Sequence, residues 1–252
     1  MTGEKQSQLT GLVLSNTPYR NDSAVVSVAT ERGIKSVLAS HAYSPRSKLK
    51  PLLLPLSLVE VDGREGEGGL FLARESLSLF DPTLLYSGAA TNPFLQLLVE
   101  TASDYFRYDD PYPLGPVKEI LLALSQGKDH LSLALLTYGV LYEAMGLEEK
   151  TDGCARCGKT DGIVSYSLEE GGFLCGDCLN QVPGARKKDA MDLYVLKFAF
   201  LPVTRETLGK TVPKESGLRV LKDLAAYLSD YFDLPLPRSL PLLLSALAEE
   251  RA

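Results

Sequence analysis

Apolar and polar positions alternate with a period of two through much of the first eighty residues. Leu9–Leu14 is apolar and extended, and Ala24–Thr30 alternates through Val26, Val28 and Thr30. The tight turn Glu31-Arg32-Gly33 leads into Ile34–Ala39. β-Branched residues at this spacing suit half-buried strands. Leu52–Val61 resumes the strand signal, Asp62–Gly69 reads as a polar, glycine-rich turn, and Leu70–Leu79 alternates through Phe71, Ala73 and Leu77. Tyr19-Arg20-Asn21-Asp22 supplies the turn after the first strand. Five strands with no strong helix among them predict a small barrel of the OB type over residues 1–80, with an SH3-like barrel or open meander as the competing topologies.

After Asp81-Pro82 the apolar spacing changes to threes and fours, the helical period. Asn92-Pro93 reads as an N-cap and a proline in the first turn, and Phe94, Leu97, Leu98, Thr101, Ala102 and Tyr105 then share one face. Asp110-Pro111-Tyr112-Pro113 ends that helix. A second runs over about Pro116–Gln126 with Val117, Ile120, Leu121 and Leu124 as its stripe. A third starts at the N-cap Asp129, carries Leu133, Leu136, Val140 and Tyr142, and stops at Gly146, a residue suited to the left-handed C′ position. Beyond a cysteine-bearing stretch, Ala190–Leu201, Glu215–Phe232 and Ser239–Glu249 are amphipathic helical patterns. These stripes read as bundle core. The expected class is α+β, with an OB-like barrel at 1–80 and a helical domain at 81–252 interrupted by a cysteine module at 151–183.

Composition narrows the class little: 45% hydrophobic and 23% charged residues exclude a disordered chain. No apolar run approaches the ~18 residues that span a bilayer, and Leu49–Val61 is broken by Pro51 and Pro55. The polar stretch Met1–Thr10 lacks a signal core, so a cytoplasmic protein with no membrane partner is expected. Charge is more informative. The net charge of −6 hides an acidic block at 81–150, with four basic against ten acidic residues. Ser15–Lys50, in contrast, carries Arg20, Arg32, Lys35, Arg46, Lys48 and Lys50 against only Asp22 and Glu31. Screening beyond about 8 Å lets such a local excess attract phosphate on an acidic protein; a solvated basic surface is the plainer alternative. Arg186-Lys187-Lys188 forms a second basic run, to which the same two readings apply.

The strongest motif is the pair Cys154-Ala-Arg-Cys157 and Cys175-Gly-Asp-Cys178. Two residues between paired thiolates let each pair wrap a knuckle, with both sulfurs about 2.3 Å from one tetrahedral zinc ion. Gly158 sits where the first knuckle needs a positive φ. Ile163–Ser167 and Gly172–Leu174 read as a hairpin that brings the pairs together. Four thiolates leave no open position for water, so the zinc expected here is structural. Disulfides would require an oxidising compartment, and redox chemistry a single pair in a thioredoxin-like setting. Gly153–Thr160 formally matches the phosphate-cradling pattern GxxxxGK[ST], with Lys159 in the lysine position. That pattern works only between a buried strand and a helix N-terminus; here Glu148–Asp152 precedes it, and two of its residues are the cysteines. Neither His41 nor His130 begins a zinc-deaminase signature, no carboxylate pair has a histidine partner, and no catalytic residue is assigned.

The chain resembles the RecO family of bacterial recombination mediators in DNA repair. The likeness lies in Gly11–Leu14, Pro18-Tyr19, Asp22-Ser23 and Thr30–Gly33, in Pro45–Leu49 followed by Pro55–Val61, and in Cys154–Cys157 with Gly171–Cys175 and Cys178. The resemblance implies a non-enzymatic protein that binds single- and double-stranded DNA, anneals complementary strands, and helps RecR load RecA onto strands coated by single-stranded DNA-binding protein (SSB). By position, Arg46 and Lys48 match basic family positions in the connector, while Arg20, Arg32 and Lys35 lie on or beside the first hairpin. Tyr19 and Tyr43 are candidates to stack on bases or to pack the rim. The family usually carries further basic residues where this chain has Ala42 and Tyr43. The competing reading from another class is a zinc-ribbon adaptor whose barrel binds protein; a nucleotide-hydrolysing protein would rest on the GxxxxGK[ST] match alone.

Overall fold

The computed structural model describes residues 7–85, 89–106 and 109–250. They fall into two compact units, Met1–Lys118 and Glu119–Ala252.

In the first unit, β1 (Ser7–Tyr19), β2 (Ser23–Thr30), β3 (Gly33–Ala39), β4 (Leu58–Glu65) and β5 (Phe71–Phe80) close a barrel in the order β1-β2-β3-β5-β4. Closure depends on the length of β1. Its first half, from Ser7 to Leu12, pairs antiparallel with β4, and its second half, from Leu12 to Tyr19, pairs with β2. The β1–β2 register shifts between Val13 and Ser15, the kind of irregularity that bends a strand from one partner to the next. β3 and β5 pair in parallel, which this order requires. The expected OB-type barrel is therefore present. Its interior is packed by Val13, Val26, Val28, Val37, Val59, Val61 and Phe71, the inward positions of period-two strands.

The β1–β2 turn holds Asn21 and Asp22 at φ of 53° and 57°, values that short polar side chains tolerate. In the β2–β3 turn, Thr30 Oγ1 accepts from Arg32 N–H at 3.1 Å and donates to the Gly33 carbonyl at 2.7 Å. The expected strand at Leu52–Val61 is corrected. Lys50–Leu53 is a 3-10 turn with Pro51 near its start, and β4 begins only at Leu58. Pro51 and Pro55 have no N–H for a ladder; between them Leu52 is fully buried in the barrel interior and Leu53 packs against it.

α1 (Thr91–Tyr105) buries Phe94, Leu97, Leu98, Thr101, Ala102 and Tyr105, the predicted stripe. Its N-cap is Ala90, with no capping side chain, so Asn92 lies inside the helix. α2 (Leu114–Ser125) follows, burying Val117, Ile120, Leu121 and Leu124.

In the second unit, α3 (His130–Ala144) is buried from Leu131 to Tyr142 on every side. Asp129 caps it, accepting from Ser132 N–H at 2.8 Å. Gly146, at φ 74°, closes it in a Schellman motif, with Leu147 N–H reaching the Tyr142 carbonyl at 2.8 Å. α5 (Ala190–Ala199) and α6 (Lys214–Tyr231) pack on it; a Cβ on Gly139 would meet the Ala199 carbonyl oxygen at 1.8 Å, so only glycine permits the α3–α5 approach. α7 (Leu240–Glu249) completes the bundle. The cysteine module lies between α3 and α5 as the hairpin β6 (Ile163–Ser167) and β7 (Gly172–Cys175) and the short helix α4 (Gly176–Leu179). Among the described residues, no helix is long and apolar enough to cross a membrane.

Candidate nucleic-acid interface and thiol cluster

The hairpin and the turns beside it bring the four cysteines together. Gly158, at φ 78°, turns the first pair back so that its N–H donates to the Cys154 carbonyl at 2.9 Å. Ala155 N–H reaches the Phe173 carbonyl at 2.7 Å and ties that knuckle to β7. The four sulfurs lie within 4.8 Å of one another, with Cys157 Sγ and Cys175 Sγ 3.6 Å apart. A tetrahedral ion with ligand distances near 2.3 Å sets its sulfurs about 3.8 Å apart, so the cluster fits a metal ion. Its protonation chemistry fits as well. Desolvation works against a thiolate at Cys154, but the N–H groups of Cys175, Cys157 and Arg156 outweigh it and hold that thiol down to about 6. Cys178 is pushed up to about 12, first by hydrogen bonding with Cys157 and then by desolvation. Four mutually close thiols cannot all ionise without a cation to compensate them.

The module is braced from outside. Lys150 donates to the Gly171 carbonyl at 2.8 Å and accepts from Phe173 N–H at 3.0 Å. Tyr166 Oη donates to Asp223 Oδ2 on α6 at 2.6 Å, and Lys188 Nζ reaches the same oxygen at 3.0 Å while lying 4.6 Å from the Tyr166 ring centroid. Lys188 is thus committed to a structural clamp; Arg186 and Lys187 remain exposed. Lys159 pairs with Asp177 at 2.6 Å, and Gly153–Thr160 has neither a strand before it nor a helix after it. It is no phosphate cradle.

On the barrel, the structure divides the predicted basic set. Arg20 lies in the β1–β2 turn, and the connector after β3 lies beside that turn: Tyr43 N–H donates to the Asp22 carbonyl at 3.0 Å, and His41 N–H to Ser23 Oγ at 3.0 Å. Tyr19 and Tyr43 are 52% and 42% exposed there. Tyr43 Oη is anchored on Asn16 Oδ1, and the Arg20 guanidinium lies 6.0 Å from the Tyr19 ring centroid. The exposed Arg46 follows on the connector. Arg32 and Lys35 lie at the far end of the same hairpin. The ladder from Ala24–Ala39 to Thr30–Gly33 separates the two ends by about 20 Å. Lys35 is paired with the core residue Val28 and is only half-exposed. Lys48 is exposed but holds Glu75 at 2.8 Å, and Lys50 Nζ donates to the Pro45 carbonyl at 2.6 Å. Glu75 is kept below its usual range by the Lys48 hydrogen bond. Ala42 is fully buried in the barrel interior, so this position serves packing here.

Two arginines that sequence reasoning passed over lie on the barrel as well. Arg64 and Arg74 line a concavity of about 480 Å³ with Leu38, Ser40, Gly63, Leu72 and Ala73. The signal that could have found them is Gly63 beside a register shift, which no single-strand pattern reveals.

Fold and site together define a small-barrel protein with an exposed aromatic and basic end and a helical half carrying a four-thiol cluster able to hold a metal ion. The recombination protein O N-terminal model matches residues 1–77 and the recombination protein O C-terminal model residues 93–240. The chain belongs to that family, RecO. Among its relatives, DNA repair protein RecO of Anaeromyxobacter dehalogenans is 31% identical over 71% of this chain and 72% of its own. DNA repair protein RecO of Lactobacillus delbrueckii is 25% identical over 82% and 85%, and that of Bacillus pumilus 24% over 69% and 68%.

Proposed function

We propose that the chain acts in DNA repair as a non-enzymatic recombination mediator. Its barrel, residues 1–80, binds single- and double-stranded DNA and anneals complementary strands. Its helical domain, residues 81–252, supports the work with RecR that loads RecA onto SSB-coated single strands. Family membership supports the repair role. The observation that carries the DNA-binding reading is the grouping of Tyr19, Arg20, Tyr43 and Arg46 at one end of an OB-type barrel. OB folds bind single strands by pairing cations with phosphates and aromatic faces with bases, and the exposed rings and guanidinium groups supply both. Arg32 and Lys35, at the far end, would extend the phosphate track. Arg186 and Lys187 could add a second contact, whereas the Lys188 ammonium is already paired.

The thiol cluster, in this reading, holds one zinc ion that braces residues 151–183 and takes no part in chemistry. Four cysteine ligands with sulfurs at near-tetrahedral separations favour zinc over harder cations. The test is a strand-annealing assay with complementary oligonucleotides, bare and SSB-coated, with and without RecR. Acceleration of annealing on bare strands, retained on coated ones, is expected. No acceleration on either substrate would overturn the mediator reading in favour of a barrel that binds protein.

A further inference from the structure

The concavity between Arg64 and Arg74 is built by an irregularity in the β4–β5 ladder. Asp62 pairs with Glu75 and Gly63 with Ala73, so Arg74 is the extra residue of a bulge, displaced from the alternation of its strand. Bulges of this kind re-aim a side chain. The partner must be glycine: a Cβ on Gly63 would lie 2.3 Å from the Leu72 carbonyl oxygen and 2.5 Å from the Phe71 ring. Leu38 pairs with Leu72, and Leu72 with Arg64, so these three side chains form one row across β3, β5 and β4. Their neighbours Val37 and Phe71 fill the barrel interior, so the row faces outward. The result is an apolar floor flanked by two guanidinium groups. The Glu75 carboxylate stands between Arg74, 3.9 Å away, and Lys48 of the connector, 2.8 Å away.

We infer that this groove is a subsite for one unpaired nucleotide of a single strand. Arg64 and Arg74 take the flanking phosphates, and the base lies against Leu38 and Leu72 or under the planar Arg74 guanidinium. A guanidinium group binds phosphate through a planar fork and lies flat on a ring, whereas the lysine ammonium offers only a point charge. A duplex keeps its base faces in the stack and has nothing to offer the apolar floor, so the groove favours single over double strands. The inference rests on the DNA-binding reading above and adds to it a place and a preference.

The test uses the full chain with Arg74→Ala and Arg74→Lys, whose side chain is 62% exposed, so that loss of fold is not at issue; unchanged melting temperatures check this. Affinities are measured for a labelled oligothymidine and for a duplex of equal length across a salt series. Arg74→Ala should weaken single-strand binding by roughly 5- to 20-fold and flatten its salt slope by about 0.7. Duplex binding should change by less than about twofold. Arg74→Lys should keep the slope and recover only part of the affinity. Equal losses for both DNAs would overturn the single-strand preference. Undiminished single-strand binding by Arg74→Ala, with wild type and Arg46→Glu showing that the barrel binds DNA, would overturn the subsite alone. Loss by Arg74→Ala of binding to a poly-glutamate peptide, with DNA binding intact, would assign the groove to an acidic protein partner and overturn the inference. Wild type that binds no DNA would instead remove the reading on which the inference rests.

Discussion

Glu149 lies between the end of α3 and Lys150, whose backbone holds the knuckle hairpin through Gly171 and Phe173. Its Oε2 is buried without a hydrogen-bond partner. Burial alone pushes its carboxyl from an ordinary 4.5 up to about 8. The folded chain therefore binds a proton more tightly than the unfolded chain does. Stability is fully present below about pH 4.5 and is lost as pH rises through about 8. Each tenfold change in proton affinity is worth about 1.4 kcal/mol, so the ionised form costs the fold at most roughly 5 kcal/mol, and relaxation of the surroundings reduces this to about 2–4 kcal/mol. Glu149→Gln keeps the shape and removes the titration. Urea unfolding of both proteins, followed by helical circular dichroism between pH 5 and pH 8, checks it. The curves should nearly meet at pH 5 and separate by about 2–4 kcal/mol at pH 8, with the variant the more stable. A separation that does not change with pH would refute the assignment of an unpartnered buried carboxyl.

The clamp on α6 is open to a double-mutant cycle. Asp223→Ala should cost about 2–3 kcal/mol, mostly the charge-assisted bond from Tyr166, and should couple to Tyr166→Phe by about 1–2 kcal/mol in thermal unfolding. Tyr166 is raised well above the usual tyrosine range, by burial first and then by Asp223. Its proton is therefore retained in the fold, and this contribution should be lost only on titration above pH 10. Elemental analysis should find one zinc per chain. Chelation, or Cys175→Ser, should expose 151–183 to protease while leaving barrel DNA binding within about twofold. Glu75→Ala, by releasing Lys48 and Arg74 from the carboxylate between them, should tighten single-strand binding roughly threefold at low salt and steepen its salt dependence, as a salt-series titration would show.

The barrel was largely legible because period-two strands with one buried face leave a direct trace in the sequence. Val26, Val28 and Phe71 are where that trace put them, whereas Leu77, beyond the bulge at Arg74 that flips the alternation, is 60% exposed. The cysteine spacing was legible for a related reason: a knuckle fixes its ligands within a few residues. Leu52–Val61 misled because buried leucines look alike in a strand and in a 3-10 turn, and only Pro51 and Pro55 tell against the ladder. α3 shows no clean stripe because it is buried on all sides. The basic residues were visible, but their grouping was not. Whether Arg20 stands beside Tyr43 or Arg32 is decided by ladder register, and the connector returns to the β1–β2 turn through backbone bonds to Asp22 and Ser23. The engagement of Lys188 by Asp223 joins residues 35 apart in sequence, and the groove at Arg64 and Arg74 depends on a bulge. Both are matters of tertiary pairing.

In the proposed function, DNA is held at the barrel's aromatic and basic end. The measurement that tests this is single-strand affinity across a salt series for wild type and for Arg20→Glu/Arg46→Glu. Affinity should fall steeply with salt in the wild type, with a log–log slope of about −0.7 per phosphate contact, and the charge reversal should abolish binding. Binding that ignores salt, or that survives the reversal undiminished, would show that this end does not hold DNA.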